Sequence, residues 1–340
     1  MYPSILLDEI IITKKNSIMK ILVTGAAGFI GFHLCHSLLK RGDEVIGVDN
    51  MNSYYDVSLK EARLSINATY DKYHMYKMSV SELEGLEALF SRESYDCVVH
   101  LAAQAGVRYS LDNPKDALGT NILGMINILE MCRKYNIPKL VYASSSSVYG
   151  NSSKYPYNEG QKVDIQISPY ATSKKCCEFL AESYSNIYGL LCVGLRFFTV
   201  YGPWGRPDMA PLIFANSIKD DKPIKLYDNG TLYRDFTYID DIINGINSVI
   251  DKNFEFYTYR HHIYNLGSGS PVAVAEFLQV LENVMAKHAI TYNATKPECD
   301  VPYTFADITK ASKEINFSPK YNLQKGIPLF VEWFNLYYKR

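Results

Sequence analysis

The order of apolar and polar positions along the chain predicts strands that alternate with helices. Short apolar runs at residues 21–23 and 44–49 have the length and composition of buried parallel strands. Between them, apolar residues recur at three- and four-residue steps from Phe29, which predicts an amphipathic helix that ends near Arg41. The same patterns predict helices at residues 57–68, 83–90 and 114–135, and strands at residues 73–78, 95–103 and 139–143. This alternation predicts an α/β fold with a doubly wound parallel sheet, which binds ligands at the carboxyl ends of its strands.

After residue 198 the pattern breaks into shorter segments rich in proline, glycine and aromatic residues. We predict a helix at residues 210–218, a strand at 224–227 and a helix at 240–250. Short elements of this kind are typical of a smaller lobe that covers a substrate. The chain is therefore predicted to consist of an extension at residues 1–18, a first domain at 19–198 and a C-terminal lobe in most of 199–340.

Three glycines spaced three residues apart, Gly25, Gly28 and Gly31, join the first predicted strand to the first helix. Glycine permits positive φ and lets a pyrophosphate approach the backbone, while the start of the helix offers free N–H groups. The second strand ends on Asp49, 18 residues after Gly31, close to the spacing at which a carboxylate meets the adenosine ribose hydroxyls. This arrangement predicts a dinucleotide site on a Rossmann-type sheet. Asp49 would repel a ribose 2′-phosphate and Asn50 follows it instead of an arginine, so NAD is favoured over NADP.

Candidate catalytic groups occur at two places further along the chain. Four serines at residues 144–147 follow a predicted strand, and Tyr170 and Lys174 lie one turn apart on a helix that begins after Pro169. A lysine ammonium near a phenol favours the phenolate, which can act as a general base toward a sugar hydroxyl. The same spacing also occurs on solvated helix faces. The dinucleotide site and Ser145, 25 residues upstream of Tyr170, favour the catalytic interpretation.

The composition excludes several classes of protein. With 340 residues, of which 47% are hydrophobic, the chain can bury a full core. Its formal net charge of −1 provides no field that would attract nucleic acid or an anionic membrane. No apolar run reaches the roughly 18 residues that a membrane-spanning helix needs. The seven cysteines are an odd number without metal-ligand spacing, so we expect reduced core thiols in a cytoplasmic protein, and no metal site.

At these residues the chain resembles the extended short-chain dehydrogenase/reductase family, from residue 19 to about 335. The residues that carry the resemblance are the three glycines, the segment 100–103 with the sequence His-Leu-Ala-Ala, Asn121, Ser145 and the Tyr170/Lys174 pair. More narrowly, the segments 104–114, 196–210 and 300–304 resemble bacterial and plant UDP-glucuronate 4-epimerases. The middle segment is long and specific.

The resemblance implies a role for each of these residues. Ser145 would bond the sugar C4 oxygen, Tyr170 would take its proton and Lys174 would also hold the nicotinamide ribose. Arg234 resembles the arginine that meets the diphosphate, and Thr199 and Arg206 match positions near the sugar carboxylate. The resemblance further implies contacts of NAD with Phe29, Ile30, Asn50, Ser79, Val80, Leu101, Ala102, Ala103 and Asn121, and of the substrate with Arg108, Ser146 and Ser147.

One position departs from the family. Ser79 stands where the family usually has an aspartate that reads the adenine amino group. A serine hydroxyl can still accept a hydrogen bond but carries no charge, so we expect a lower affinity for NAD.

The implied reaction is inversion at C4 of a UDP-sugar, with NAD as a retained catalyst and with a role in polysaccharide biosynthesis. The related dehydratases and decarboxylases need acidic residues where this chain has Ser146 and Ser147. A catalytically silent NAD or nucleotide-sugar sensor would be expected to lack Tyr170 or Lys174. C4 epimerisation of a UDP-N-acetylhexosamine, of its uronate or of UDP-glucose stays open as an alternative to UDP-glucuronate.

The resemblance also implies an interleaved architecture and a homodimer. A segment at about 236–268 would return to the first domain from the C-terminal, substrate-binding lobe. The helix that ends near Tyr135 and the helix that starts at Tyr170 would pair with their copies in a second chain to form a four-helix bundle. We expect no nucleic-acid or membrane partner.

Overall fold

A computed structural model describes residues 18–255 and 257–338. The predicted extension at residues 1–18 therefore lies outside the described part of the chain, except for Ile18. The strands are, in chain order, β1 (Lys20–Thr24), β2 (Glu44–Asp49), β3 (Tyr73–Lys77), β4 (Cys97–His100), β5 (Lys139–Ser145), β6 (Leu191–Phe197), β7 (Thr199–Tyr201), β8 (Ile224–Tyr227), β9 (Tyr233–Arg234), β10 (Phe236–Tyr238), β11 (His261–Leu266), β12 (Val272–Ala273) and β13 (Thr291–Ala294).

Seven of these strands form a central sheet in the order β3-β2-β1-β4-β5-β6-β11. Every neighbouring pair in this sheet is parallel. The order reverses between β1 and β4, and this is the point at which doubly wound sheets bind their ligands. The sheet confirms the predicted α/β fold.

The helices fill the connections between the strands and the surface of the C-terminal part. They are α1 (Phe29–Lys40), α2 (Val57–Asn67), α3 (Leu83–Phe90), α4 (Val107–Asp112), α5 (Pro114–Leu118), α6 (Gly124–Lys134), α7 (Pro169–Tyr188), α8 (Ala210–Lys219), α9 (Ile239–Asp251), α10 (Val274–Met285), α11 (Thr309–Ile315) and α12 (Leu323–Tyr338). Among the described helices, none is both long and apolar enough to cross a membrane.

The strands are buried on both faces because helices cover both sides of the sheet. In β1, Ile21 and Val23 belong to a core that includes Phe32 of α1, whereas Leu22 between them belongs to a second core with Ile128 of α6. The inner strands β1 and β4 therefore carry short, unbroken apolar runs, as expected for a parallel sheet covered on both faces, whereas the edge strand β3 is partly polar and exposed.

The C-terminal part contributes to both lobes. Strand β11 pairs with β6 at the edge of the central sheet, and α9 packs against α1. Three two-stranded pairs, β7 with β10, β8 with β13 and β9 with β12, lie outside the central sheet. Helix α10 packs against α12 and α8.

Two predicted elements differ from the structure. The single helix predicted at 114–135 is interrupted by a π-helical segment, Gly119–Leu123, between α5 and α6. A π segment often lies at a functional site because it turns a side chain out of helical register. The strand predicted at 95–103 stops at His100, since Ala102 donates its N–H to the Thr24 hydroxyl instead of continuing a ladder.

Candidate active site

A cavity of about 820 Å³ lies at the carboxyl ends of the parallel strands. Its walls come from the turn after β1, the ends of β2 and β5, the segment after β4, and β7 and α8 of the C-terminal part. Most of the residues predicted from the sequence line this cavity. They are Gly25, Gly28, Phe29, Ile30, Gly31, Asp49, Asn50, Val80, Leu101, Ala102, Ala103, Arg108, Ser145, Ser146, Ser147, Tyr170, Lys174, Thr199, Arg206 and Arg234.

The glycine turn leaves no space for side chains. Gly25 has φ +72°, and a Cβ atom there would lie 2.8 Å from the backbone nitrogen of Ala102. A Cβ atom on Gly31 would lie 2.0 Å from the Gly25 carbonyl oxygen. Both positions therefore require glycine, and the start of α1 stays open to the cavity. This turn fits the pyrophosphate of a dinucleotide.

Asp49 lies beside this turn and is fixed by backbone donors. Its carboxylate accepts hydrogen bonds from the N–H groups of Ala27 (3.2 Å) and Met51 (2.8 Å). Lys60 of α2, which the sequence analysis did not identify, places its Nζ 3.8 Å from Asp49 Oδ1 and donates to Asn52. Burial lowers the pKa of Lys60, and Asp49 opposes this shift. Because Nζ is already engaged by Asn52 and Asp49, it is not a free cation for a ribose 2′-phosphate.

The serine candidate lies at the end of a strand, and the tyrosine candidate lies in the first turn of a helix. Ser145 is the last residue of β5, and its Oγ accepts a hydrogen bond from Ser147 N–H at 3.1 Å. Ser168 caps α7 by accepting from Ala171 N–H, which fixes the first turn that contains Tyr170. Lys174, one turn later, donates from its buried Nζ to the Ala143 carbonyl oxygen of β5 at 2.8 Å. This bond ties the helix that carries Tyr170 to the strand that carries Ser145.

Two predicted cofactor residues do not line the cavity. Asn121, in the π-helical segment, is buried behind it and exchanges hydrogen bonds with the Gln104 backbone, its Oδ1 accepting at 2.8 Å and its Nδ2 donating at 3.2 Å. It therefore positions the segment after β4. The Ser79 hydroxyl accepts from Ser81 N–H at 3.2 Å within its own turn. Thr120, the neighbour of Asn121, lines the cavity instead.

Two arginines form a cationic end of the cavity. Arg108 Nη2 lies 2.5 Å from Asp300 Oδ2, and its guanidinium lies 4.5 Å from the ring centre of Tyr227. Arg234 donates from Nη1 to the Tyr233 carbonyl oxygen at 2.8 Å. Burial lowers the pKa of Arg234, whereas Asp300 acts in the opposite direction. Two cations and one carboxylate leave a net positive charge, which suits an anionic ligand such as a diphosphate.

Arg206 has a partner that the sequence analysis did not identify. Its Nε lies 3.0 Å from Asp208 Oδ1 and its Nη2 lies 2.5 Å from Asp208 Oδ2. Burial tends to raise the pKa of Asp208, but Arg206 overcomes this and holds it below the usual value. Tyr54, in the loop after β2, donates its hydroxyl to Asp208 Oδ2 at 2.9 Å. The only sequence signal for this pair is the two-residue spacing of opposite charges within the segment 196–210.

The loop before Arg206 is fixed to the first domain. Arg63 of α2 is fully buried, and it donates to the Ala27 carbonyl of the glycine turn (2.8 Å) and to the Trp204 carbonyl (2.6 Å). His33 of α1 contacts the Pro203 carbonyl through Nε2 at 2.9 Å. The turn that fits a pyrophosphate and the loop that carries Arg206 are therefore bonded to the same side chain.

Comparison with known proteins identifies similar sequences and structures. A family model described as the NAD dependent epimerase/dehydratase family matches residues 21–267. UDP-glucuronate 4-epimerase 4 of Arabidopsis thaliana is 43% identical over 339 residues, which cover 96% of this chain and 77% of that protein.

Solved structures are similar over nearly the whole chain. The UDP-glucuronic acid 4-epimerase of Bacillus cereus, in complex with UDP-glucuronic acid and NAD, has a TM-score of 0.86 and 32% identity, and the match covers 94% of this chain and 100% of that one. The UDP-glucose 4-epimerase of Thermotoga maritima, with UDP-glucose, has a TM-score of 0.84 and 30% identity, covering 93% and 99%. The family model and these identities together show that the chain belongs to the NAD-dependent epimerase/dehydratase family.

Proposed function

We propose that this protein catalyses NAD-dependent C4 epimerisation of UDP-glucuronate to UDP-galacturonate. The observation that carries the proposal is the meeting of Ser145, Tyr170, Lys174 and Arg206 in one cavity with the glycine turn. The similarity to epimerases whose names specify UDP-glucuronate supports the choice of sugar.

The residues around the glycine turn hold NAD in this proposal. Backbone N–H groups at the start of α1 meet the pyrophosphate, Asp49 meets the adenosine ribose and Lys174 meets the nicotinamide ribose. When bound, NAD supplies the acceptor, and afterwards the donor, of the hydride at sugar C4.

The protein's own groups move the proton and orient the sugar. Tyr170 accepts the proton of the C4 hydroxyl and later returns it, while the Ser145 hydroxyl bonds the same oxygen. The 4-keto sugar has to present its other face between these events, so the cavity must allow it to rotate. Ser146 and Ser147 stand where elimination or decarboxylation would need acids, which supports a reaction that stops at epimerisation.

The two ends of the substrate are met by arginines. Arg234 and Arg108 form the cationic end that suits the diphosphate, whereas Arg206 and Thr199, with the hydroxyls of residues 145–147, would hold the C6 carboxylate. A 4-keto uronate is a β-keto acid, which loses carbon dioxide when its carboxylate turns perpendicular to the ring. Fixing that carboxylate in another orientation protects the intermediate.

A neutral UDP-sugar is the second candidate. The bidentate edge of Arg206 is already engaged by Asp208, so this part of the cavity has no net charge from the pair. UDP-glucose or a UDP-N-acetylhexosamine is therefore the neutral alternative, and the uronate of a UDP-N-acetylhexosamine is an acidic alternative. A silent NAD or sugar sensor is disfavoured because Tyr170 and Lys174 both line the cavity.

A panel of UDP-sugars tests the proposal directly. The purified protein is incubated with UDP-glucuronate, UDP-glucose and UDP-N-acetylglucosamine, and the C4 epimers are separated by chromatography. We expect UDP-galacturonate to form fastest. Faster conversion of a neutral sugar would contradict the assignment of glucuronate but not that of an epimerase. The nucleotide released on denaturation identifies the cofactor.

We further propose a homodimer built on α6 and α7. Helix α7 exposes Phe179 (53%) and Ile187 (69%), which lie two turns apart on one helix face, and Leu123 before α6 is also exposed. Apolar side chains in this arrangement support a four-helix bundle with a second copy. Light scattering at micromolar concentration should give twice the chain mass, and Ile187→Asp should shift the mass toward that of one chain.

The proposal also covers the domain boundaries of the chain and the cellular compartment in which it acts. Residues 19–198 and the returning segment 236–268 would form the NAD-binding domain, which is supported by the position of β11 in the central sheet and of α9 against α1. The rest of 199–340 would form the nucleotide-sugar lobe. All seven cysteines are free thiols, which supports a location in the reducing cytoplasm. In this proposal the UDP-sugar product serves polysaccharide biosynthesis.

A further inference from the structure

The guanidinium of Arg206 is held on one edge only. Asp208 engages Nε and Nη2 with its two carboxylate oxygens, at 3.0 and 2.5 Å. Among the described residues, the Arg206 guanidinium makes no geometric hydrogen bond besides those to Asp208, although the Tyr54 hydroxyl lies near it and both Arg206 and Asp208 line the cavity. The edge formed by Nη1 and the second N–H of Nη2 is therefore available to a ligand.

Asp208 is fixed in turn from the opposite lobe. Tyr54 belongs to the loop between β2 and α2, five residues after Asp49, and donates its hydroxyl to Asp208 Oδ2 at 2.9 Å. The Tyr54 ring packs edge-on against Tyr109 with 4.8 Å between ring centres. Burial, with Asp208 nearby, raises the pKa of Tyr54 to about 12, so the hydroxyl keeps its proton and donates at neutral pH.

These contacts leave Asp208 little freedom to move away. Its carboxylate accepts from Arg206 through both oxygens and from Tyr54 through one of them, while the preceding loop is bonded to Arg63 and His33. A substrate carboxylate that displaced Asp208 would break three hydrogen bonds. A carboxylate that used the free edge would break none of them.

We propose that Asp208 and Tyr54 are specificity-determining positioning residues, which orient Arg206 so that its free edge receives the carboxylate of an acidic sugar. This inference rests on the proposed function, because it needs an acidic substrate. It assigns the selection of the acidic substrate to three hydrogen-bonded side chains, Arg206, Asp208 and Tyr54. Tyr54 belongs to the cofactor-binding side of the cavity.

The test compares acidic and neutral sugars in two variants. Asp208→Asn keeps the shape but removes the charged two-oxygen acceptor, and Tyr54→Phe keeps the ring packing but removes the donor. For each protein, kcat/KM and the Kd of the NAD-loaded form are measured for UDP-glucuronate and for UDP-glucose. We expect Asp208→Asn to lower the preference for the acidic sugar by roughly 10- to 100-fold, the scale of a misoriented binding group. We expect Tyr54→Phe to lower it by about three- to tenfold, the scale of one hydrogen bond.

A matched control separates these effects from the loss of any phenol–carboxylate contact. Glu314 accepts from the Tyr264 hydroxyl at 2.7 Å and neither residue lines the cavity, so Glu314→Gln should leave the preference unchanged. A double-mutant cycle supplies the decisive reading. If Asp208 acts through Arg206, Asp208→Asn should have no further effect on the preference in an Arg206→Ala background.

The outcomes separate the two proposals. A wild-type protein that treats both sugars alike would contradict the proposed substrate. A wild-type preference that survives Asp208→Asn, or an equal loss for both sugars, would overturn the positioning role alone. Tighter binding of UDP-glucuronate by Asp208→Asn would also overturn it, since Asp208 would then occupy the place of the substrate carboxylate.

Discussion

Glu178 of α7 and Arg196 of β6 form a buried, bidentate ion pair behind the catalytic candidates. Arg196 donates from Nε to Oε1 at 2.8 Å and from Nη2 to Oε2 at 2.9 Å, and both side chains are only 3% exposed. Ser144 donates its hydroxyl to Oε1 at 2.6 Å. Burial opposes ionisation of Glu178, but the hydrogen bonds and charge of Arg196 overcome it and hold its pKa below the usual value. The pair thus joins the helix of Tyr170 to β6, and the Ser144 hydroxyl joins the same carboxylate to the end of β5.

We expect Glu178→Gln to lower the free energy of unfolding by about 3–5 kcal/mol, because Arg196 would keep a buried charge without its counterion. Urea denaturation at pH 7 measures the change. Glu87→Gln is the matched control, since Glu87 pairs with Lys134 on the surface and its loss should cost at most about 1 kcal/mol. Similar costs for the two variants would show that the buried pair contributes no more than a surface pair.

The sequence predicts the parts of this site that depend on local geometry. Gly25 and Gly31 leave no room for a side chain, and Tyr170 and Lys174 share a helix face, so their spacing alone points to their place in the fold. The partner of Arg206 could not be predicted in the same way. Asp208 matters because Tyr54, distant in sequence, reaches it across the cavity, and single-sequence patterns carry no information on such tertiary contacts.

The two predicted cofactor residues outside the cavity illustrate the same limit. Asn121 is buried and its amide bonds the Gln104 backbone, a tertiary contact that its place in the motif does not reveal. Ser79 bonds its own turn, a local choice that serine often makes. Position in a motif therefore does not by itself fix which groups a side chain contacts within the fold.

Tyr170→Phe keeps the ring but removes the proposed proton acceptor. We expect kcat to fall by at least ~100-fold, the usual scale of general-base catalysis, while the Kd of the UDP-sugar changes little. Steady-state kinetics and calorimetry measure the two quantities. Tyr188→Phe, at the other end of the same helix and outside the cavity, should keep normal turnover. Near-normal turnover in Tyr170→Phe would mean that another group is the base.

Ser79→Asp restores a carboxylate at the position where the family usually has one. The new side chain can still accept from Ser81 N–H and adds a charged acceptor for the adenine amino group, so we expect NAD to bind about tenfold more tightly. The nucleotide that purified protein retains, released by denaturation and measured by chromatography, should increase accordingly. Ser81→Asp adds the same charge two residues away and should not raise retention. Equal retention in wild type and Ser79→Asp would leave the adenine assignment without support.

Buried histidines make the fold sensitive to acid. Burial lowers the pKa of His33 and His100 to about 3 and that of His261 to about 4. The unfolded chain binds these protons near pH 6.5, whereas the folded chain binds them only near pH 3 or 4. The contribution of these histidines to the free energy of unfolding is therefore fully present above pH 6.5 and is lost as the pH falls from 6.5 toward 3 or 4. Each histidine should cost about 1 kcal/mol between pH 7.5 and 5.5.

Urea denaturation of two glutamine variants checks the origin of this pH dependence. His33→Gln can still donate to the Pro203 carbonyl, so the variant should fold and lose about 1 kcal/mol less than wild type over the same pH interval. His288, whose side chain is 97% exposed, provides the control, and His288→Gln should follow the wild type. If His33→Gln also follows the wild type, other groups cause the loss.

Arg206→Ala tests the acidic substrate itself. The guanidinium presents a planar set of donors that a carboxylate can meet with paired, charge-assisted hydrogen bonds, and its orientation is fixed by Asp208. Removing it should lower kcat/KM for UDP-glucuronate by an amount equal to about 2–4 kcal/mol of transition-state stabilisation, and leave UDP-glucose scarcely affected. Arg206→Lys, which keeps the charge but not the planar fork, should recover only part of the loss.

The side products of these variants give an independent reading of the same contact. A 4-keto uronate whose carboxylate is no longer held can adopt the orientation that releases carbon dioxide, so Arg206→Ala should produce a decarboxylated UDP-pentose in addition to the epimer. Arg92→Ala, which removes an exposed arginine outside the cavity, should produce none. Equal loss of activity on acidic and neutral sugars in Arg206→Ala would contradict the glucuronate assignment. A neutral UDP-hexose or UDP-N-acetylhexosamine would then be the better substrate, because Arg206 would serve the fold of the loop and not the recognition of an acid.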